Sequence, residues 1–341
     1  MLESFRVRSF RFQWGADAFA TWASEMENLV LGWYVLVDTG SPFLVGLVGA
    51  LRFGGTLLSP FYGVIADRFD RRRLLILLRF LHALQAAAIM ALALSGTLQP
   101  WHAFAITGIG GLMRMAENVV RQSLIADVVP SSALMNAVGL SRTTMDVAKI
   151  AGAVAGAGLL DRLGIGPAYV VITGCFVLST VLVFGVTPGR ERSQSAAESA
   201  SRGAPESPYR TLRSGLGYMR RSPTIVAIMF LAFLVNLTVF PLSNGLMPIV
   251  ARDAFAFGPA GLALLLTAVS VGAVSGSLLL TALTARVRHP QRTMLIAIGV
   301  WHVLLLLFVW LTSVITGGVP LLPVALAVLA AYGAATSGSM V

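Results

Sequence analysis

The sequence predicts an all-α, polytopic membrane protein, and three observations predict it. The 341 residues are 56% hydrophobic and only 12% charged, where a soluble domain carries about a quarter charged residues. The apolar residues fall in continuous runs of about twenty, enough to cross the hydrocarbon core as helix. The runs do not alternate in polarity, as the strands of a membrane β-barrel would. Third, arginines collect in every second connection between runs, the bias that orients helices in a bilayer.

Taken in order, helix one is expected over about Trp14 to Val37, and Asp38-Thr-Gly-Ser-Pro42 turns outside. Helix two covers about Phe43 to Ile65, followed by the arginine-rich hairpin Gly63-Val-Ile-Ala-Asp-Arg-Phe-Asp-Arg-Arg-Arg73. A charge run between two apolar spans must lie in water, and its arginines place it on the cytoplasmic side. Helix three covers about Leu74 to Leu94 and helix four about Trp101 to Arg121, joined by the uncharged loop Ser95 to Pro100. A cytoplasmic connection follows at Asp127 to Asn136, then helix five over Ala137 to Leu160. Asp161 to Pro167 turns outside, and helix six covers Ala168 to Val186.

The composition then changes. Thr187 to Pro223 is rich in Ser, Arg, Ala, Glu and Pro, which reads as a solvated linker between two bundles. Its second half, Tyr209 to Arg221, is either a basic amphipathic helix on the inner leaflet or a plain loop. Helix seven covers about Thr224 to Val250, with Pro241 and Pro248 placed to bend it. Helix eight covers Pro259 to Leu283, helix nine Thr293 to Leu311 and helix ten Pro320 to Thr336, with a second basic hairpin at Arg286 to Arg292. The domains are therefore 1–186, a six-helix bundle; 187–223, a cytoplasmic linker; and 224–341, a bundle of four helices.

The loop charges test this order. Arg6, Arg8, Arg11, Arg68, Arg71, Arg72, Arg73, Arg121 and Arg142 fall inside, with all seven linker arginines and Arg286, Arg288 and Arg292. Only Arg162 and Arg252 fall outside. The N-terminus is expected in the cytoplasm. This spread accounts for the formal charge of +10 without nucleic acid, since no domain collects the basic residues. The Arg, Ala and Gly bias hints at a GC-rich bacterial genome. The single cysteine, Cys175, cannot form an internal disulfide and reads as a small apolar packing residue. The first apolar segment is too long, and too interrupted by acids, for a cleavable signal peptide. His82, His102, His289 and His302 are scattered without metal-ligand spacing. No nucleotide-binding loop or enzyme signature is present, so neither an enzyme activity nor a cofactor is expected.

Charges inside spans cost about 2.5–3.5 kcal/mol each at the helix centre, so each needs a partner or a wet cavity. On helix one, at 100° per residue, Asp17, Thr21, Ser24, Glu25, Asn28 and Gly32 share one polar stripe. Glu25 lies near its middle and is the expected protonatable or cation-binding carboxylate, the alternative being a structural one. Helix four carries Arg114, Glu117 and Arg121 on one face, and helix five Arg142, Asp146 and Lys149 with the same spacing. These charges can pair within and between the two helices, as a structural network or as a coupling site. Arg52 is deep enough to pair with an acid of helix one, and Arg79 is close enough to the inner face to snorkel.

The hairpin pattern Gly63-x-x-x-Asp67-Arg68-x-x-Arg71-Arg72 resembles the loop 2–3 signature of the major facilitator superfamily, with Asp70 where a glycine is usual. Thr39-Gly-Ser-Pro42 with Val45-Gly-Leu47, Arg121-Gln-Ser-Leu-Ile-Ala-Asp127-Val-Val-Pro130 and Asn136-Ala137 resemble the subgroup of enterobactin exporters and macrolide efflux proteins. Leu112-Met-Arg114-Met-Ala-Glu117-Asn118 partly resembles the family's helix-four arginine motif, with Glu117 and Asn118 replacing Gln and Gly. Ala148, Gly152, Ala153, Gly156 and Gly158 occupy the antiporter-motif region without its proline. The basic hairpins after helices two and eight fit two parallel structural repeats.

The resemblance implies two bundles around a central cavity, alternating access, and proton-coupled export of a small amphipathic molecule such as a siderophore, macrolide or other drug. Gly63, Asp67, Arg68, Arg71 and Arg72 would latch one state, and protons, substrate and the bilayer would be the partners. Location in a bacterial inner membrane follows. Family members usually have twelve helices and ten are found, so a truncated, non-transporting membrane protein, or a lipid flippase of the same fold, is the alternative.

Overall fold

The computed structural model describes residues 5, 7–58, 62, 69–129, 134–187, 223–238, 241–283, 290–314 and 322–338. Among these the chain is all-α, with no strand. The first six helices are α1 (Arg8–Thr39), α2 (Pro42–Phe53), α3 (Arg71–Leu94), α4 (Pro100–Val128), α5 (Leu134–Leu163) and α6 (Ile165–Val183). Next among the described residues come α7 (Pro223–Thr238), α8 (Pro259–Leu283), α9 (Pro290–Val314) and α10 (Leu322–Gly338). A 3₁₀ turn, Gly54–Leu58, prolongs α2.

Local chemistry accounts for the ends. Prolines occupy the first position of α2, α4, α7, α8 and α9, where the missing N–H has no helical partner anyway. Asp70 caps α3 by accepting from the Arg73 N–H at 2.7 Å, satisfying one of the free donors of the first turn. Gly40 (φ 63°) and Gly164 (φ 81°) end α1 and α5 in the left-handed conformation, which lets each reversal occupy one or two residues.

Several boundaries differ from expectation. α4 runs on to Val128, so Asp127 is helical rather than part of the connection, because nothing breaks the helix before Pro130. The Asp161–Pro167 turn shrinks to Gly164, and Pro167 sits in the first turn of α6. The bend expected at Pro241 and Pro248 appears as two π-helical turns, Leu242–Leu246 and Val250–Ala254, flanking Met247–Ile249. Proline removes a helical donor and crowds the preceding turn, and wider turns absorb the misfit.

Among the described residues, four helices are both long and apolar enough to cross a membrane by themselves, within Arg71–Leu94, Ile165–Val183, Pro259–Gly276 and Leu295–Ser313. α1 has 32 residues, a length of about 48 Å against a hydrocarbon core of about 30 Å, but its acids lower its hydropathy. α2 and α10 are apolar and shorter. Exposed large apolar side chains, such as Phe80, Leu84, Val181, Leu306 and Trp310, form the surface expected against lipid rather than water.

The described residues divide into two compact units. One gathers residues 1–23, 50–145 and 169–233, the other residues 24–49, 146–168 and 234–341. In the first, Phe10, Leu75, Leu78, Val120, Leu124 and Val183 form a buried apolar cluster from α1, α3, α4 and α6. In the second, α8 and α10 cross at backbone contact. A Cβ at Gly272 would strike the carbonyl oxygen of Ala330, and one at Gly276 would lie 2.5 Å from that of Ala334. The Gly272-to-Gly276 stretch is therefore packing surface, as its small residues suggest. Gly156 likewise brings α5 to within 2.9 Å, measured from an added Cβ, of the Met26 Cα on α1.

Candidate functional site

The first unit buries an ion network built by three helices. α3 buries Leu75, Leu78, Arg79, His82, Ala83, Ala86 and Ile89, a stripe at helical spacing, while Leu77, Phe80 and Leu84 face outward. Arg79 and His82 thus point into the unit by position alone. α1 brings Asp17 and Gln13 to the same interior, and α4 brings Glu117 and Arg121.

Arg79 holds two carboxylates. Its Nη2 donates to Asp17 Oδ1, and its Nε donates to Glu117 Oε1 at 3.2 Å. The Arg79 and Asp17 side chains are 1% and 4% exposed, so neither charge can be screened by solvent, and each needs the other. His82 Nε2 lies 3.4 Å from Glu117 Oε2, and its ring stacks on Phe176 of α6 with centroids 5.6 Å apart. Arg121 stands further along α4, reaching Asn118 Oδ1 at 3.4 Å and the sulfur of Met145. Its carbonyl accepts from Gln13 Nε2 at 3.2 Å, tying α4 to α1. Asp17 Oδ2, Arg79 Nη1 and Gln13 Oε1 are buried and hold no hydrogen bond among the described residues.

Arg79 therefore does not snorkel. Its aliphatic stem could reach the inner face, but two acids on neighbouring helices draw the guanidinium inward. Glu117 is likewise not paired within its own helix to Arg114 or Arg121. Arg79 and His82 on α3 take both of its oxygens. Asp17 is enclosed by this network rather than left open on a polar stripe. His82, which sequence spacing left unassigned, is a member of the cluster. The available signal was its position three residues after Arg79 on one helix face.

The remaining expected residues fall elsewhere. Arg114 is half-buried in the first unit, within electrostatic reach of His82. Arg52 is half-buried at the end of α2, where the carbonyls of Leu51 and Arg52 abut Gly111 of α4. Glu25 and Asn28 belong to the second unit. Glu25 is half-buried and has no partner among the described residues. Asn28 lines, with Gly32, Val48, Gly49, Gly245 and Pro248, a cavity of about 30 Å³, room for about two waters. Asp146 and Lys149 form the expected pair along α5, at 3.3 Å.

At the arginine hairpin, Gly63, Asp67 and Arg68 lie outside the described residues, as does the Tyr209–Arg221 segment. Arg71 is described and forms a two-oxygen ion pair with Asp127 of α4, at 3.0 and 2.8 Å. Arg72 donates to the Phe184 carbonyl at 2.6 Å, satisfying an acceptor left free at the end of α6. The start of α3 is thus fastened to the ends of two neighbours.

Membrane-length helices with exposed apolar flanks and a buried, charged interior define a polytopic α-helical membrane fold. The chain belongs to the family described as transmembrane secretion effector, whose profile matches residues 1–338, within the major facilitator superfamily. It is 20% identical over 270 residues to macrolide efflux protein A of Streptococcus pyogenes, covering 78% of this chain and 64% of that one. It is 26% identical over 266 residues to the MFS-type transporter YfiS of Bacillus subtilis, covering 78% and 58%. The chain thus spans less than two thirds of the length of either relative. Among solved structures it is similar to the nucleoside transporter NupG, with TM-score 0.70, 14% identity and coverage of 97% of this chain and 80% of that one. A bacterial homologue of the iron transporter ferroportin, in an inward-facing state, gives 0.65, 15%, 98% and 82%. These structural likenesses establish the fold.

Proposed function

We propose that this chain works as a secondary active transporter of a bacterial inner membrane, exporting a small amphipathic molecule in exchange for protons. A macrolide, a siderophore or another drug of that character is the substrate class. The family and the efflux relative support export over the non-transporting and lipid-moving alternatives. The N-terminus lies in the cytoplasm, and the linker at 187–223 joins the bundles 1–186 and 224–341. Gly63, Asp67, Arg68, Arg71 and Arg72 serve as the latch of one conformational state.

The observation that carries proton coupling is one buried arginine shared by Asp17 and Glu117. Two acids facing one cation can lose one negative charge to a proton while the arginine keeps a partner. Either acid can take that proton on the oxygen that Arg79 does not hold, Asp17 on Oδ2, which has no hydrogen bond among the described residues, or Glu117 on Oε2. Glu25 is the second candidate on the same helix, and Asn28, Arg52, Arg114, Asp146 and Lys149 complete the coupling or substrate-lining set. Proton-driven efflux of erythromycin from vesicles decides between the acids. Loss in Asp17→Asn with export kept in Glu25→Gln places the proton in the buried network. The opposite pattern places it on Glu25, and export undiminished in both removes α1 from coupling.

A further inference from the structure

One member of the network has no part in the exchange scheme above. His82 is buried on α3, with Nε2 at 3.4 Å from Glu117 Oε2. Arg79 Nε holds the other oxygen of the same carboxylate at 3.2 Å. The Phe176 ring of α6 lies nearly parallel to the imidazole, at 11°, and fixes its plane. The charged groups acting on His82 are Arg79 on its own helix and Glu117 and Arg114 on α4. Asp17 of α1 is reached through Arg79, and Arg121 acts on both acids. A guanidinium does not release its protons, so Arg79 separates Asp17 from Glu117 as proton sites. Of the groups in contact with Glu117, only the imidazole is of a residue type whose ordinary pKa lies near neutrality.

We propose that His82 is the proton relay for Glu117, an inference that rests on the proton-exchange reading. In the loading step the Nε2–H bond of the imidazolium breaks and an O–H bond forms on Glu117 Oε2. Both groups become neutral, and the reverse step restores the ion pair. Neutral Glu117 no longer pairs with Arg79, which is left to Asp17. The attraction between α3 and α4 therefore weakens each time the proton arrives.

Two measurements test this. The first needs no transport. Protein carrying nitrogen-labelled histidine is titrated in nanodiscs by NMR, with the His82 signal assigned by its loss in His82→Gln. Interacting groups titrate as a pair, so the wild-type signal follows two steps and that of Glu117→Gln one. Glu117→Asp, which withdraws the carboxylate, serves if Glu117→Gln does not assemble. Identical curves overturn the relay. The second uses proteoliposomes with radiolabelled erythromycin as the probe. His82→Gln should slow gradient-driven export by more than about tenfold and remove one limb of its pH profile, with exchange of labelled for unlabelled erythromycin kept. An unchanged pH profile overturns the relay. Wild-type protein that moves no erythromycin down a proton gradient overturns the exchange reading itself, a failure distinct from that of His82.

Discussion

Arg79 is where the cost of a charge in this fold is concentrated. Its guanidinium is wholly buried and balances two acids. Removing one partner of a buried pair costs about 3–5 kcal/mol, because the other charge is left without compensation. Arg79→Leu leaves two carboxylates in that position, and thermal unfolding in detergent should show a loss of that order. Asp17→Asn leaves Arg79 its pair with Glu117 and should cost much less. A loss from Arg79→Leu no larger than that from Asp17→Asn would contradict the shared pairing. The Arg71–Asp127 pair makes a contrast. Its side chains are 28% and 21% exposed, so solvent and salt screen it, and Asp127→Ala should cost no more than about 1 kcal/mol. That loss should shrink as salt is raised in the same unfolding assay. The acids and arginines of this site are all visible in the sequence. Their partners are not, since the spacing of Arg114, Glu117 and Arg121 favours pairing within α4, and the structure pairs Glu117 with α3.

Helix α8 depends on glycine in a way its hydropathy does not reveal. Gly272 and Gly276 meet the backbone of α10, and Gly333 of α10 meets the Val269 carbonyl in return. A backbone atom cannot turn aside as a side chain can, so an added methyl must push the helices apart. Gly272→Ala should cost about 1–3 kcal/mol in thermal unfolding. Gly299→Ala on α9 meets nothing within 4 Å and should be neutral, or stabilising by up to about 1 kcal/mol through helix propensity. Equal effects at the two positions would rule out the close crossing. Helix positions were legible because twenty apolar residues, prolines at starts and glycines at ends have direct physical consequences. The ends were less so. Asp127 looks like loop chemistry in a linear reading, yet it is the last turn of α4 and anchors Arg71.

For the whole molecule, the arginine distribution carries a topology that can be measured directly. With Cys175 replaced by Ala, a single cysteine at Ser201, between α6 and α7 in the chain, should react with a membrane-impermeant maleimide only in everted vesicles. One at Ser41, between α1 and α2, should react only from outside intact cells. Labelling of Ser201→Cys in intact cells would invert the orientation. In the second unit, the Arg252 guanidinium reaches the Leu36 carbonyl at 3.2 Å and the Asp253 carboxylate at 2.6 Å. One of the two arginines expected outside thus lies near the end of α1, where the turn at Gly40 begins.

Lipid supplies no hydrogen-bonding groups, so long apolar runs have to be helices and their charged connections have to sit in water. That constraint is local, and the sequence alone therefore determines an all-α membrane fold, the order of its helices and, through its motifs, its superfamily. Which charges meet is decided by the tertiary structure. A rotation of 100° per residue tells which face of a helix carries Asp17, Arg79, His82 or Glu117, but not which other face lies opposite. Packing of α1, α3 and α4 supplies that second half. It turns a snorkelling arginine into a buried hub and an unassigned histidine into a neighbour of the acid it is proposed to serve.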